Sequence, residues 1–174
     1  YRVSEDRKLL RFEMVRTDSL GIACGGPAGQ ALSAAFKGDL PLFRANGGEN
    51  DSQVATYSAI HARTVNIADA YLSEGFDFSG TRKFDQMTGY RSQSFLTVPM
   101  RSHEGEVIGV LQLINAIDPA TGTVGEFSPT DQGLAESLAS QAAVALTNRL
   151  LVQQLELELA DGLARHLQAH AALL

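Results

Sequence analysis

Residues 94–100 (SFLTVPM) and residues 107–115 (VIGVLQLIN) decide the fold of this chain. Both segments are rich in β-branched and apolar residues, and His103, Glu104 and Gly105 offer a turn between them, so they predict an antiparallel hairpin. The second segment has almost no alternation of polar and apolar residues. This predicts that both of its faces are covered and that it lies centrally in a sheet, with Gln112 as its polar exception.

The flanking segments predict shorter elements around this hairpin. Residues 1–3 and 8–15 favour a second hairpin, residues 21–50 favour loops with one short strand at residues 40–43, and residues 64–67 favour another strand. Residues 54–63 have helical spacing, and residues 50–52 (NDS) offer capping side chains before them. Residues 69–89 are polar, aromatic and punctuated by glycine and lack clear periodicity, so we expect a loop with some structure there.

The C-terminal part predicts one long helix. Ser128 is a suitable N-cap, Pro129 suits the first helical position, and Asp131 complements the helix dipole. Helix-forming residues then continue nearly to Leu174. Residues 129–159 alone would span about 46 Å, which is longer than a domain of this size is wide, so the helix is expected to project beyond the fold.

An approximate apolar stripe follows this helix, with an interruption at Arg149. Its members are Leu134, Leu138, Ala142, Ala145, Arg149, Val152, Leu155, Leu159 and Leu163. We expect the portion up to about Leu146 to pack on the sheet. Beyond it, the leucines would lie in water unless a second helix covered them, which predicts a parallel homodimer. Gly162 weakens the continuity of the helix.

Composition limits the classes of function. The 174 residues carry a formal net charge of −6 and a sequence pI of about 5.1, which argues against nucleic acid as a partner. Cys24 is the only cysteine, so one chain forms neither a disulfide nor a cysteine-based zinc cluster, as fits a reducing cytoplasm. No apolar run is long enough to insert into a membrane. Because the chain starts at Tyr1, we expect a fragment of a longer protein.

Four segments, taken in order, resemble the GAF domain family. They are residues 65–71 (VNIADAY), 84–100 (FDQMTGYRSQSFLTVPM), 107–115 (VIGVLQLIN) and 137–148 (SLASQAAVALTN). The similarity is to the type of GAF domain found in cyclic-nucleotide phosphodiesterases, adenylyl cyclases and bacterial signalling proteins. It covers most of residues 54–151, whereas the part before Val54 matches poorly.

The resemblance implies an α+β fold of the GAF/PAS-like kind. Its core is an antiparallel sheet of five or six strands with helices on both sides, which agrees with the covered strand inferred above. Residues 1–130 would then form an N-terminally truncated sensor domain. Residues 131–174 would form a helix for packing, signalling and dimerisation.

The resemblance also implies a ligand site between the sheet and the elements on one of its faces. Backbone amides at a helix N-terminus take the phosphate in cyclic-nucleotide-binding members, and the matching residues are Val54 and Ala55. Asp85, Thr88 and Ser92 match side chains that close over the ligand. Gln112 matches a polar residue on the sheet floor.

Each of these residues also has a purely structural explanation. Asp85 is a common type of turn cap, and Thr88 and Ser92 are common turn residues. Gln112 faces either a ligand or a backbone partner, since a buried amide without partners costs about 1 to 3 kcal/mol. No metal site is predicted: His166 and His170 have metal-ligand spacing on the tail helix but lack a third ligand.

The nucleotide-binding phosphodiesterase members share a further motif, which this chain keeps only in part. Asn115, Phe127 and Asp131 match it. Ala116 replaces a lysine that pairs with the aspartate, and Gln132 replaces a glutamate. The ion pair of that motif is therefore absent from this chain.

The resemblance predicts a regulatory domain without catalytic activity of its own. It would bind a small molecule, with cyclic AMP and cyclic GMP as candidates, and would pass the signal through a dimeric C-terminal helix to an output domain elsewhere in a cytoplasmic protein. Two alternatives stay open. One is a free methionine sulfoxide reductase of the GAF type, which would depend on Cys24. The other is a ligand-free dimerisation spacer whose pocket is filled by its own side chains.

Overall fold

The computed structural model describes residues 1–25 and 38–171 of the chain. This part contains ten strands and three helices. The strands are β1 (Arg2–Val3), β2 (Leu9–Arg11), β3 (Met14–Thr17), β4 (Ile22–Gly25), β5 (Leu40–Pro41), β6 (Val65–Ile67), β7 (Phe95–Arg101), β8 (Val107–Ile114), β9 (Ala116–Ile117) and β10 (Val124–Gly125). The helices are α1 (Val54–His61), α2 (Ser79–Thr88) and α3 (Pro129–Ala171).

Six of the strands form one antiparallel sheet in the order β5-β2-β1-β8-β7-β6. The predicted β7–β8 hairpin lies at its centre, with Thr97 opposite Gln112 and Leu96 opposite Leu113. The predicted hairpin of β1 and β2 and the short strands β5 and β6 complete the sheet. The predicted fold class, a six-stranded antiparallel sheet with helices on both sides and a long C-terminal helix, is confirmed.

Helices cover both faces of the central hairpin. On one face, Leu96, Val98 and Leu111 pack with Phe127 and with α3. On the other face, Val107 and Val110 pack with Ala55 and Ala59 of α1. Because alternate side chains of a strand point to opposite faces, Thr97 and Gln112 lie on the α1 face. The prediction that the apolar strand is covered on both sides is therefore confirmed.

The packing face of α3 differs from the predicted one. Ala135, Ala139 and Ala143 are at most 1% exposed and face the sheet, whereas Leu134 and Leu138 are 61% and 56% exposed. The expectation that the leucine stripe packs on the sheet up to about residue 146 was wrong. Alanines spaced four apart let the helix backbone approach the strands closely, and the leucines one position before them then point away from the sheet.

The long helix continues well past the sheet. It comprises 43 residues, or about 65 Å of helix, and it runs through Gly162 without ending there. Every side chain from Asn148 to Gly162 is exposed, including Leu155 at 57% and Leu159 at 74%. Within residues 1–25 and 38–171, no helix is both long and apolar enough to cross a membrane.

The start of α3 is the predicted one. The Ser128 N–H donates to the Asp131 carboxylate at 2.9 Å, and the Asp131 N–H donates to the Ser128 hydroxyl at 3.2 Å. This reciprocal pair satisfies two N–H groups that the helix start would otherwise leave without partners. The hydrogen bonds from Ser128 also hold the pKa of Asp131 below its usual value.

The structure expected within the loop of residues 69–89 is the helix α2. Two other local predictions were wrong. The strands β3 and β4 form a separate two-stranded sheet where part of a longer strand and a loop were expected. The N-cap of α1 is Gln53, whose side chain makes no capping hydrogen bond, so residues 50–52 do not occupy the capping position. Asn50 instead accepts a hydrogen bond from the Thr56 hydroxyl through its backbone carbonyl.

Gly109 tests the central packing of the sheet. A Cβ atom there would meet the side chain of Met100 and would lie 2.6 Å from the carbonyl oxygen of Tyr1 on the neighbouring strand. We expect Gly109→Ala to lower the free energy of unfolding by about 1 to 3 kcal/mol, because the added methyl group overpacks the sheet. Urea denaturation measures this change. Gly125→Ala is the matched control because nothing lies within 4 Å of its Cβ position. Equal stabilities of the two variants would contradict this packing.

Candidate functional site

The site implied by the resemblance lies on the sheet face that α1 covers. Thr97 and Gln112 form its floor: the side-chain amide of Gln112 donates to the hydroxyl of Thr97 at 3.1 Å across the strand pair. Thr97 is fully buried and Gln112 is partly exposed. The floor is therefore polar at its centre, within an otherwise apolar hairpin.

Val54 and Ala55 are the first two residues of α1, and both are buried. Gln53 before them is extended, with φ −116° and ψ 142°, and its side chain makes no capping hydrogen bond. The first amides of a helix carry the positive end of its dipole and lack partners inside the helix. The amides of Val54 and Ala55 thus form a helix start with the capacity to bind an anion.

Asp85 is the buried residue of α2 and makes three hydrogen bonds. One carboxylate oxygen, Oδ2, accepts from the Tyr71 hydroxyl at 2.6 Å and from the Ser92 N–H at 2.8 Å. The other, Oδ1, accepts from the Ser92 hydroxyl at 2.7 Å. Asp85 is 4% exposed and Ser92 is 2% exposed. Both oxygens of the carboxylate are therefore occupied by donors of the chain itself.

Thr88 lies at the end of α2. Its hydroxyl donates to the Phe84 carbonyl at 2.9 Å and accepts from the Tyr90 N–H at 3.3 Å, and Gly89 follows in the left-handed conformation with φ 71°. A glycine there ends a helix without the steric cost of a side chain. In this structure Thr88 terminates the helix.

An apolar cluster fills the space next to the polar floor. It consists of Val54, Ala70, Phe78 and Phe95, with Val65, Ile67 and Phe76 partly buried against it. The rings of Phe78 and Phe95 are 5.3 Å apart. The N-terminal end of α2 therefore rests on the sheet through Phe78, immediately before its first residue.

Tyr71 is a site residue that the sequence analysis missed. Besides bonding Asp85, its ring lies under the Arg91 guanidinium at 4.3 Å and near that of Arg82 at 5.6 Å. Arg91 also approaches the Asp69 carboxylate at 3.7 Å. No local pattern signals the contact, because Tyr71 and Asp85 are fourteen positions apart across an irregular loop.

The three motif residues hold neighbouring segments together. Asn115, in the left-handed region with φ 65°, donates to the Arg91 carbonyl at 2.8 Å and accepts from the Gln93 N–H at 2.7 Å. Phe127 packs between the sheet and α3, and Asp131 bonds Ser128 as described above. Asn115 therefore ties the end of β8 to the segment that carries Ser92.

Other polar groups lie outside this set of residues. A surface groove of about 510 Å³ lies beside the start of α3, lined in part by Asn66, Ser128 and Gln132. Glu49, Asp51 and His61 bring three donor atoms of the type that binds metals within 4.8 Å of one another, and His61 Nε2 is 2.7 Å from the Asp51 carboxylate. Cys24 is buried in β4, opposite Val15. His166 and His170 lie on α3, and the surroundings of their side chains are outside the described part.

Comparison with known proteins identifies the family. The GAF domain family model matches residues 13–146. A dual cyclic-AMP and cyclic-GMP phosphodiesterase 11 of Drosophila melanogaster is 34% identical over 107 residues, which are 61% of this chain and 7% of the relative. A dual phosphodiesterase 11A of Takifugu rubripes is 34% identical over 96 residues, which are 55% of this chain and 10% of the relative.

Two solved structures are similar at lower identity. A GAF domain from a phosphoenolpyruvate-protein phosphotransferase of Coxiella burnetii is 14% identical with a TM-score of 0.45, over 63% of this chain and 64% of that one. A type II free methionine-R-sulfoxide reductase from Thermoplasma acidophilum is 19% identical with a TM-score of 0.38, over 60% and 64%. The assignment rests on the sequence model rather than on these superpositions.

The chain belongs to the GAF domain family. It spans a tenth or less of the length of the phosphodiesterases that it matches, so their names describe proteins much longer than this domain.

The Tyr71–Asp85 hydrogen bond can be tested by titrating the phenol. Donation to the Asp85 carboxylate is the largest cause raising the pKa of Tyr71 above its usual value. The bond needs the protonated phenol, so its contribution to stability is present below the usual tyrosine pKa of about 10 and is lost as the pH rises through the folded pKa. The measurement is the difference between the ultraviolet titration curves of wild type and Tyr71→Phe. We expect this difference to show one phenol that titrates above pH 10. Asp85→Asn should lower its midpoint, and an unchanged midpoint would contradict the assignment.

Proposed function

We propose that this GAF domain is a regulatory sensor that binds a small anionic ligand, of the cyclic-nucleotide type, on the sheet face between α1 and α2. The observation that carries the proposal is the uncapped start of α1 at Val54 and Ala55, on the same side of the sheet as the polar pair of Thr97 and Gln112. The helix start suits a phosphate, and the amide of Gln112 suits the polar edge of a base.

The proposed ligand contacts fall into two groups. The first group consists of the amides of Val54 and Ala55 and the side chain of Gln112. These groups contact the ligand without breaking a hydrogen bond to a buried charged side chain. Asp85 and Ser92 are already bonded to each other, and the Thr88 hydroxyl is bonded to the end of its own helix. These three close over the ligand only after their present hydrogen bonds rearrange.

Relatives support a cyclic nucleotide as the ligand class. The two matched phosphodiesterases are described as dual enzymes for cyclic AMP and cyclic GMP. The match covers only a small part of each relative, so we place catalysis in a domain outside this sequence. The polypeptide would act in the cytoplasm, where cyclic nucleotides are signals.

Signal output would pass through α3, paired in parallel with α3 of a second copy. The exposed leucines of α3 form a row that starts on the domain, at Leu134 and Leu138, and continues beyond it, at Leu155 and Leu159. Burying such side chains is favourable, at about 1.5 to 3 kcal/mol for each leucine fully removed from water. A second α3 presents the same stripe and would cover it along its whole length. We treat residues 131–174 as this output helix.

Ligand binding is best tested by calorimetry with cyclic AMP and cyclic GMP on wild type and two variants of Val54. Val54→Pro removes one amide, and the extended Gln53 before it is already in the region that a residue before proline prefers. Val54→Ala also changes the buried side chain but keeps the N–H. We expect Val54→Pro to weaken binding about tenfold or more, because hydrogen bonds to charged groups contribute about 1.5 to 3 kcal/mol. We expect Val54→Ala to weaken binding much less.

No heat and no thermal shift of the wild type with either nucleotide would reject the nucleotide proposal. Equal losses in the two variants would reject the amide contact while keeping the ligand. Each result thus identifies which part of the proposal has failed.

Dimerisation through α3 has its own test. We expect Leu155→Glu combined with Leu159→Glu to convert a dimer to a monomer in light scattering after size exclusion, because charges replace two apolar contacts in each helix. Gln153→Glu, at an exposed position outside the stripe, is the control and should leave the dimer intact. A wild-type monomer, or a double variant that is still dimeric, would exclude this interface.

The alternative of a ligand-free spacer has one observation in its favour. Phe78 and Phe95 occupy space beside the polar floor, and the Asp85 carboxylate is satisfied by the chain itself. This alternative predicts the same dimer with no response of stability or subunit number to either nucleotide.

A further inference from the structure

Three separate segments meet at the Asp85 carboxylate. Tyr71 comes from the loop after β6, Asp85 from α2, and Ser92 from the segment leading into β7. The three hydrogen bonds are 2.6 to 2.8 Å long, and both Asp85 and Ser92 are almost completely buried. We call these three residues the latch.

The C-terminal half of α2 buries a single side chain. Asp85 is the buried residue of this helix, Met87 is 61% exposed, and Phe84 and Thr88 are partly exposed. Its N-terminal end is anchored differently, through Phe78 on Phe95 and through the Asp77 N–H, which donates to the Ser52 carbonyl at 2.6 Å. An apolar anchor at one end and a polar latch at the other are the arrangement of a hinged lid.

Tyr71 is itself held in position for this contact. Its N–H donates to the Asp69 carboxylate at 2.7 Å, and the Arg91 guanidinium lies over its ring while also approaching Asp69. The two arginines near the ring place positive charge close to the buried carboxylate without an ion pair to it in the described residues. The phenol therefore reaches Asp85 from a preorganised ring.

We propose that Tyr71 is a positioning residue that acts through Asp85 to hold α2 closed over the sheet face, and that opening of the latch controls access to Thr97 and Gln112. Its consequence for ligands rests on the function proposed above. A ligand that uses Asp85 or Ser92 has to break hydrogen bonds that the chain already makes. Its apparent affinity then equals its affinity for the open form multiplied by the fraction of molecules in which the latch is open.

The latch is tested first without any ligand, by amide hydrogen exchange of residues 79–94 in the intact chain. We expect Tyr71→Phe and Ser92→Ala each to speed exchange in α2 about tenfold or more, as for a loss of about 1.4 kcal/mol in local opening. Tyr57→Phe is the matched control, since the hydroxyl of Tyr57 makes no hydrogen bond within the described residues. Exchange in α2 equal to that of the control in both latch variants would overturn the proposal.

Access to the floor is measured by thiol labelling. Thr97→Cys, made in a Cys24→Ser background, places one thiol at a fully buried position of the α1 face, and its rate of labelling by a small thiol reagent reports opening of that face. Adding Tyr71→Phe should increase the rate about tenfold, and adding Tyr57→Phe should not. If exchange in α2 rises while labelling does not, the latch holds the helix but does not gate the site, and the proposal is rejected.

The same variants separate this proposal from that of nucleotide binding. If cyclic AMP or cyclic GMP binds, Tyr71→Phe should speed its association with the protein more than Tyr57→Phe does. If neither binds, the nucleotide proposal fails, and the exchange and labelling rates still decide whether the latch exists.

Discussion

The whole architecture depends on covering β8, a strand that has no face suited to water. Its neighbours β1 and β7 satisfy its backbone, α3 covers one face through alanines, and α1 covers the other through Ala55 and Ala59. Burial on both sides fixes which strand residues face which helix, since a shift of one residue would exchange the two faces. It also places Thr97 and Gln112 on the face that α1 covers.

The two sides of the sheet are closed by different interactions, and this difference underlies the functional proposal. The α3 side is apolar and tightly packed around Leu96, Val98 and Ala139, as expected of a permanent structural interface. On the opposite side, α2 is joined to the rest of the domain by Phe78 before its first residue and by the hydrogen bonds of Asp85 near its end. A few polar contacts break and reform more readily than a packed core, so the side with the proposed ligand site is also the side best able to move.

The sequence predicted the elements that depend on local or strongly apolar signals. The central hairpin, the covered strand and the start of α3 at Ser128 follow from apolar runs and from capping chemistry. Helix α2 escaped prediction because its inward face, with Thr81, Asp85 and Thr88 beside Phe84, is mostly polar and so gives no apolar pattern with helical spacing. In α3, alanine and leucine stripes lie side by side with the same period, and periodicity alone does not indicate which of them faces the sheet. The contact of Tyr71 with Asp85 arises only when the loop after β6 folds back. The ligand roles of Val54, Ala55, Asp85, Thr88, Ser92 and Gln112 stay predictions.

Native mass spectrometry of the freshly purified protein tests the central claim most directly, because it reports bound ligand and subunit number in one spectrum. A regulatory GAF domain that pairs through α3 should appear as a dimer of 18.6 kDa chains, and added cyclic AMP or cyclic GMP should increase its mass by one nucleotide per chain. A monomer whose mass is unchanged by both nucleotides would contradict the account.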